Sequence, residues 1–219
     1  AGYTGTVIDA NVAVSAYGRL WVASTTTNKT VVAFSDILAG QVWTTGTAGT
    51  LDISSVWPAG ADTITGIAAH NGSLFIFGKS CILIYTGAKE PASMALSDTV
   101  TGIGCIARDT IQNTGSDIVF LSDTGVRSVM RTIQEKSAPF RDFSKNVRND
   151  LMSAVKGEVV ANIKSIYNPF ESFYLLSLPV LKTVYCFDTK TALQDGSARI
   201  TTWDSLEPTA FCFLRNRDM

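Results

Sequence analysis

The chain is short of histidine, of charge and of long apolar runs, and each shortage closes off a class of function. His70 is the only histidine among 219 residues, so any Ser-His-Asp or Cys-His nucleophile system would have to be built on it. It flanks the dipeptide Asn71-Gly72 and reads as a turn-side polar residue instead. The same scarcity argues against zinc and non-haem iron centres, which want several imidazoles or a thiolate cluster. Charged residues make up 17% of the chain and the formal net charge is −1, which gives no general attraction to nucleic acid or anionic lipid. No apolar run approaches the roughly 20 residues of a membrane-spanning helix. The start, Ala1-Gly2-Tyr3-Thr4-Gly5, has neither the basic nor the apolar region of a signal peptide.

Other chemistries fail for want of a pattern. Cys81, Cys105, Cys186 and Cys212 form no C-x-x-C pair; Cys81, Cys186 and Cys212 lie in apolar runs, where reduced, buried thiols are expected. Gly102-Ile103-Gly104 is the nearest approach to a phosphate-cradling loop and lacks the third glycine. Asp36, Asp98, Asp123, Asp188 and Asp195 sit at strand ends or turns, where aspartate bonds its local backbone, so no carboxylate pair for glycoside hydrolysis is nominated. Ser122-Asp123-Thr124-Gly125 faintly resembles the Asp-box turn of sialidase propellers but occurs once and lacks the following Thr-Trp. Asn28-Lys29-Thr30 and Asn71-Gly72-Ser73 match the glycosylation acceptor pattern and read as turns. Arg127, Arg131, Lys136, Arg141, Lys145 and Arg148 are interleaved with Asp123, Glu135, Asp142 and Asp150, the pattern of a solvated face of mixed sign. Trp43, Trp57 and Trp203 suit packing at sheet edges, with sugar stacking as the alternative. No catalytic, cofactor-binding or metal-binding residue is assigned, no cofactor is expected, and the chain is not expected to be an enzyme.

What is abundant is strand-forming sequence, with 46% hydrophobic residues, 25 Thr and 20 Ser. Four hairpin-like units recur. In the first, 12–17 turns at Gly18 into Arg19-Leu20-Trp21-Val22-Ala23; in the second, 64–69 turns at Asn71-Gly72 into Ser73-Leu74-Phe75-Ile76-Phe77. In the third, 105–111 turns at Asn113-Thr114-Gly115 into Asp117-Ile118-Val119-Phe120-Leu121, and in the fourth 161–167 turns at Asn168-Pro169-Phe170 into Ser172-Phe173-Tyr174-Leu175-Leu176. Asn-Gly between apolar runs is a strong hairpin signal, because a type I′ turn needs positive φ at both central residues. A third run follows each pair, at 30–34, 81–85, 125–130 and 183–187, and two units show a fourth ending in tryptophan, at 41–43 and 199–203. Leu74-Phe75-Ile76-Phe77, Ile82-Leu83-Ile84-Tyr85 and Ile118-Val119-Phe120-Leu121 do not alternate, so both faces of those strands must be covered. Sheets stacked face to face do this, and a divergent repeat of roughly 40–55 residues with three or four strands is what propeller blades look like.

The expected fold is therefore all-β, a β-propeller-like array of about four antiparallel blades with one inserted α-helix. Blades are expected near 7–57, 62–100, 101–135 and 158–203 within a propeller region over 1–203. Phe143, Val147, Leu151 and Val155 recur every four residues, which predicts a helix over 144–155, capped by Asp142 or Ser144 and ended by Gly157. It falls in an inter-blade insertion over 139–157, where Pro139-Phe140-Arg141-Asp142 also breaks the strand pattern. The apolar run at 209–214 predicts that 204–219 begin a further strand or blade. That ending, with no initiator Met, suggests a segment of a longer protein.

Several of these runs resemble one family. They are Gly18-Arg19-Leu20-Trp21-Val22-Ala23 with Val32-Ala33-Phe34-Ser35-Asp36, then Thr65-Gly66-Ile67-Ala68-Ala69 with Gly72-Ser73-Leu74-Phe75-Ile76-Phe77, then Gly102-Ile103-Gly104-Cys105-Ile106-Ala107. Most telling is Asp117-Ile118-Val119-Phe120-Leu121-Ser122-Asp123-Thr124-Gly125-Val126-Arg127-Ser128. Together, over about residues 12–203, they resemble the β-propeller-bearing tail proteins of short-tailed, podovirus-type bacteriophages, called tail nozzle, tail tubular protein B, or DNA-stabilisation hub proteins. The resemblance implies a structural virion protein in a homo-oligomeric ring, commonly a hexamer, forming part of the genome-ejection channel. Its implied partners are a tail adaptor protein and tail fibre or needle proteins. DNA would pass without sequence-specific binding, and the protein would sit in the host cytoplasm before assembly. Arg127 and Arg131 are candidates to face the channel lumen. The rival reading is a glycan- or host-receptor-binding propeller module that uses loops such as residues 44–63, with Trp43 and Trp57.

Overall fold

Where two consecutive residues tolerate positive φ, the chain folds back on itself. Asn71 and Gly72 have φ of +48° and +79° and join β5 (Gly66–His70) to β6 (Ser73–Phe77), with His70 opposite Ser73. Tyr17 and Gly18, at +54° and +73°, do the same between β1 (Val12–Ala16) and β2 (Arg19–Ala23). The twist of such turns matches the right-handed twist of the strands they join. The structure is a computed structural model and describes residues 9–23, 28–58, 60, 62–135 and 143–213.

These residues form two compact units, divided between Ile106 and Ala107. In the first unit, β1, β2, β3 (Val31–Phe34) and β4 (Gly49–Asp52) make one antiparallel sheet in chain order. The strands β5, β6, β7 (Cys81–Thr86) and β8 (Ala95–Thr101) make a second. Trp21, Val32, Ile53, Leu74, Ile76 and Leu83, all fully buried, anchor the core between them. Each such side chain contributes about 1.5–3 kcal/mol through the apolar surface it removes from water. Leu74 through Phe77 are all buried, as are Ile82 through Tyr85, so both faces of β6 and β7 are covered as the unbroken apolar runs require.

In the second unit, β9 (Gln112–Asn113), β10 (Ile118–Ser122) and β11 (Gly125–Ser128) form a three-stranded sheet. The strands β12 (Lys164–Asn168), β13 (Phe173–Leu178), β14 (Thr183–Asp188) and β15 (Arg199–Asp204) form a four-stranded one. Between them lie two helices, α1 (Val129–Glu135) and α2 (Arg148–Lys156). Tyr174 joins the parts: its ring is fully buried beside Phe187 and its hydroxyl donates to the Thr110 carbonyl at 2.9 Å.

Several expectations need correction. The fourth strand of the first sheet is Gly49–Asp52 rather than 41–43, because the Asp36 carboxylate accepts the Thr47 amide and hydroxyl at 2.9 and 2.6 Å. That pair folds residues 37–47 into turns and brings 49–52 alongside β3. The second sheet has a fourth strand, β8, that its polar sequence conceals. Residues 105–111 are not a strand: a 3-10 turn at Arg108–Thr110, closed by the Thr110 hydroxyl on the Ala107 carbonyl at 2.6 Å, leaves only the two-residue β9. Residues 129–130 continue as α1 instead of strand, because the Asp117 carboxylate reaches across from the start of β10 to accept the Met130 amide at 3.0 Å and the Ser128 hydroxyl. There are thus two α-helices among the described residues, not one. The predicted helix starts at Arg148, since 145–147 wind as a 3-10 turn and Ser144 turns its hydroxyl to the Val126 amide at 3.0 Å instead of capping. In the fourth unit residues 160–162 are a 3-10 turn and the strand starts at Lys164. Residues 209–213 form no strand. The expectations for Pro139, Phe140, Arg141, Asp142, Lys136 and Leu214, and for the chain start, lie outside the described residues.

Candidate functional site

The insertion earns its place by finishing the three-stranded sheet. The Phe143 amide donates to the Val126 carbonyl at 3.1 Å while the Ser144 hydroxyl accepts the Val126 amide, so residues 143–144 occupy the outer edge of β11. The Ala198 amide donates in turn to the Phe143 carbonyl at 3.1 Å. Leu151 and Val155 then bury the inner face of α2. A shallow cavity of about 380 Å³ opens at the start of α2, lined by Lys145, Asn146, Val147, Arg148, Asn149 and Asp150.

A polar clasp holds this surface to the loop at 193–198. Asn146 Nδ2 donates to Ser197 Oγ at 2.8 Å, Lys145 Nζ lies 3.3 Å from Asp195 Oδ2, and Arg131 donates to the Gly196 carbonyl while its guanidinium lies 4.8 Å from the Phe143 ring centre. The Ser197 hydroxyl and amide on the Asp195 carboxylate, with Lys145 beside it, hold that group down to about 2. A depressed carboxylate lends stability that is complete above its unfolded value of about 3.9 and is lost as pH falls through its folded value. Acid titration should therefore loosen the 193–198 loop progressively as pH falls from about 3.9 to about 2, and Asp195→Asn should leave that loop's amides exchanging faster at neutral pH, with no further acid-dependent change assignable to it. Hydrogen exchange of 193–198 against pH reads both.

The candidate residues scatter. Arg127 is buried and its Nε donates to Thr124 Oγ1 at 2.8 Å, so it braces the β10–β11 turn rather than facing a lumen. Ser122 completes that turn, its hydroxyl donating to the Gly125 carbonyl at 3.0 Å; the Asp-box-like segment is structural. Arg131 is half-buried in the clasp. Trp57 is 5% exposed and has no face to offer a sugar, Trp43 is half-buried, and Trp203 on β15 is 42% exposed. His70 is buried beside its turn, and its Nε2 has no hydrogen-bond partner among the described residues. Cys81, Cys105 and Cys186 are buried, but Cys212 is exposed, against expectation, because residues 205–213 run along the surface. Burial, and then the Asp62 carboxylate nearby, pushes the Cys81 thiol up to about 12, which makes it an inert packing group.

Sequence reasoning missed the most exposed apolar feature. Ile37 and Leu38 are 51% and 89% exposed at the turn after β3. Leu38 has φ of +52°, a conformation that costs an L residue roughly 1–2 kcal/mol. Its amide donates to the Gly18 carbonyl at 2.7 Å, which holds the turn in place. Nothing in the local propensity of Asp36-Ile37-Leu38-Ala39 shows that a leucine stands outward in the left-handed region. In the second unit Phe170 and Phe213, 64% and 42% exposed, stack on each other at 5.4 Å.

Neither a protein-family model nor a curated protein sequence matches the chain. Solved structures do. Kluyveromyces lactis Hsv2 is similar with a TM-score of 0.54 at 13% identity, and Hsv2 with its complete loop 6CD with 0.50 at 12%; each match covers 92% of this chain and 64% of that one. A Lactobacillus plantarum protein matches with a TM-score of 0.46 at 14% identity, over 93% of this chain and 57% of that one. The chain thus spans about 64% of the length of Hsv2. Hsv2 is a β-propeller, and with the four antiparallel sheets above the likeness makes this chain an all-β fold of the β-propeller type.

Proposed function

We propose that this β-propeller module is a structural component of a short-tailed bacteriophage tail, a nozzle or tail tubular protein. In this reading it forms part of the genome-ejection channel, in a homo-oligomeric ring, and docks an adaptor protein and fibre or needle proteins. The observation that carries the reading is the run Asp117–Ser128, most like the family in sequence: it folds as a wholly structural hairpin, with Asp117 tying β10 to α1 and Ser122, Thr124 and Arg127 closing the turn. Polar side chains in this reading brace backbone and perform no catalysis. The near-neutral charge suits a protein that borders passing DNA without holding it.

The exposed Ile37–Leu38 tip supplies a docking contact of the kind such a protein needs, since well-exposed apolar side chains on a rigid turn suit a partner's pocket. Leu38→Asp is expected to leave the melting temperature unchanged or slightly raised, because the side chain is 89% exposed and aspartate tolerates the left-handed region better than leucine, yet to reduce incorporation into tails. The test is mass spectrometry and immunogold labelling of purified virions from phage carrying the gene. Detection at the tail, reduced in the variant, supports the proposal; absence from virions overturns it. The receptor-binding alternative draws on the 42% exposed Trp203. A glycan array with Trp203→Ala tests it, and Trp57, being buried, is no longer a useful variant.

A further inference from the structure

We propose that β15 is a pairing edge at which two copies of this chain join, antiparallel and strand to strand, into one continuous eight-stranded sheet. The inference rests on strand-edge chemistry and not on the tail reading: a two-fold pair cannot be the repeating contact of a ring of like-oriented subunits, so a dimer and a ring are separate outcomes of the mass measurement below.

Outer strands present unpaired backbone donors and acceptors, and proteins protect such edges. Here the last strand of each of the other three sheets does so. β4 has only four residues and begins with Gly49. β8 carries an irregularity at Ser97, where pairing shifts between Ile84 opposite Asp98 and Tyr85 opposite Leu96. The outer edge of β11 is already taken by Phe143 and Ser144. β15 has none of these devices, and its charges, Arg199 and Asp204, stand only at its two ends. Its six residues, Arg-Ile-Thr-Thr-Trp-Asp, pair with β14 in unbroken register from Arg199 to Asp204, and it contains no proline, glycine, lysine or bulge. All but Ile200 are exposed. At Ser205, with φ of +63°, the chain turns away and the Leu206 amide bonds the Lys182 carbonyl at 2.9 Å. Among the described residues no hydrogen bond reaches the outer backbone groups of β15.

The sequence of the edge selects its occupant. A two-fold axis through an antiparallel pair must place one residue opposite its own copy, since alternate pairs differ in hydrogen bonding. With Thr201 on the axis, Thr201 meets Thr201, Ile200 meets Thr202 and Arg199 meets Trp203. Arg199, Thr201 and Trp203 share one face of the strand, so each guanidinium lies beside an indole of the other copy, a favourable cation–π pairing. Threonine pairs also favour antiparallel contact, and Asp204 falls opposite the neutral Ala198, so no like charges face each other. Shifting the axis to Thr202 would set Ile200 against Asp204, a poorer match. A net charge of −1 opposes association of two copies only weakly.

The test is molar mass by light scattering across a dilution series, with hydrogen exchange of residues 199–204. The wild-type chain should form a dimer whose β15 amides become protected as concentration rises. Thr201→Lys and Thr201→Glu each place like charges face to face on the axis, and each should weaken the dimer about tenfold or more. An equimolar mixture of the two variants should restore it, which also shows that both remain folded. A wild-type chain that stays monomeric at all soluble concentrations, one that assembles into a ring with its β15 amides unprotected, or a dimer untouched by either substitution overturns the proposal.

Discussion

Gly104→Ala is expected to destabilise the first unit by about 3 kcal/mol, more than most single methyl additions, because the space for the new Cβ is filled by backbone that cannot retreat. A Cβ at Gly104 would stand 2.3 Å from the Gly78 carbonyl oxygen and 2.4 Å from the Lys79 carbonyl carbon. The two segments are also bonded, the Cys105 amide donating to Gly78 at 2.9 Å. The 78–80 turn is pinned from its other side: Asp62 accepts the Lys79 and Ser80 amides at 3.1 and 3.0 Å and the Ser80 hydroxyl at 3.0 Å. Partial burial pushes the Asp62 carboxyl upward, yet the Ser80, Thr63 and Lys79 amides outweigh it and hold the group below its ordinary range. Gly78 itself is fixed, since a Cβ there would lie 2.5 Å from Asp62 Oδ2. Gly102→Ala is the control: it has φ of +76° and nothing within 4 Å, so only the roughly 1–2 kcal/mol backbone cost of the left-handed conformation applies. Denaturant unfolding followed by hydrogen exchange in residues 9–106 would rank the two; equal effects would show that the close approach at Gly104 does not matter.

Tyr174→Ala should cost the second unit about 3–5 kcal/mol, the range for deleting a buried aromatic side chain and leaving a cavity. The ring has no exposed surface and sits 5.9 Å from Phe187 at a tilt of 59°. Tyr174→Phe keeps that packing and removes the hydroxyl's donation to Thr110, so it should cost about 1–2 kcal/mol. The two variants together separate packing from the hydrogen bond. If Tyr174→Phe proved as damaging as Tyr174→Ala, the 3-10 turn at Arg108–Thr110 would be the element that holds β12 and β13 in place, rather than the ring. That turn has a second anchor, since Asp109 pairs with Arg108 at 2.6 Å and also with Lys164 of β12.

Much of the fold was legible because its signals are local. Gly18 and Asn71-Gly72 name their own turns, and the unbroken apolar runs of β6, β7 and β10 state that both faces are covered. The strands that escaped are the polar ones. β8, Ala95–Thr101, is mostly exposed along its length, so no apolar period marks it, whereas Gln41-Val42-Trp43 looks like a strand and is held in a turn by Asp36, Ala39 and Val42. The surface features were less legible still. Trp57 and Trp203 are the same residue type in comparable polar surroundings, and one is buried while the other stands on an open edge.

The sequence by itself determined that this protein is all-β, hairpin-built, and short of histidine and of clustered cysteine. Its single histidine, scattered cysteines and near-zero charge are properties of composition, and no folding changes them. Tertiary structure alone decided which edges are sealed and which are left open. Whether Ser144 caps a helix or seals β11, whether Val129 continues a strand or starts a helix, and whether Leu38 is buried or offered to solvent each depend on a partner many residues away. Such contacts follow from the closure of the sheets, which no local pattern of residues records.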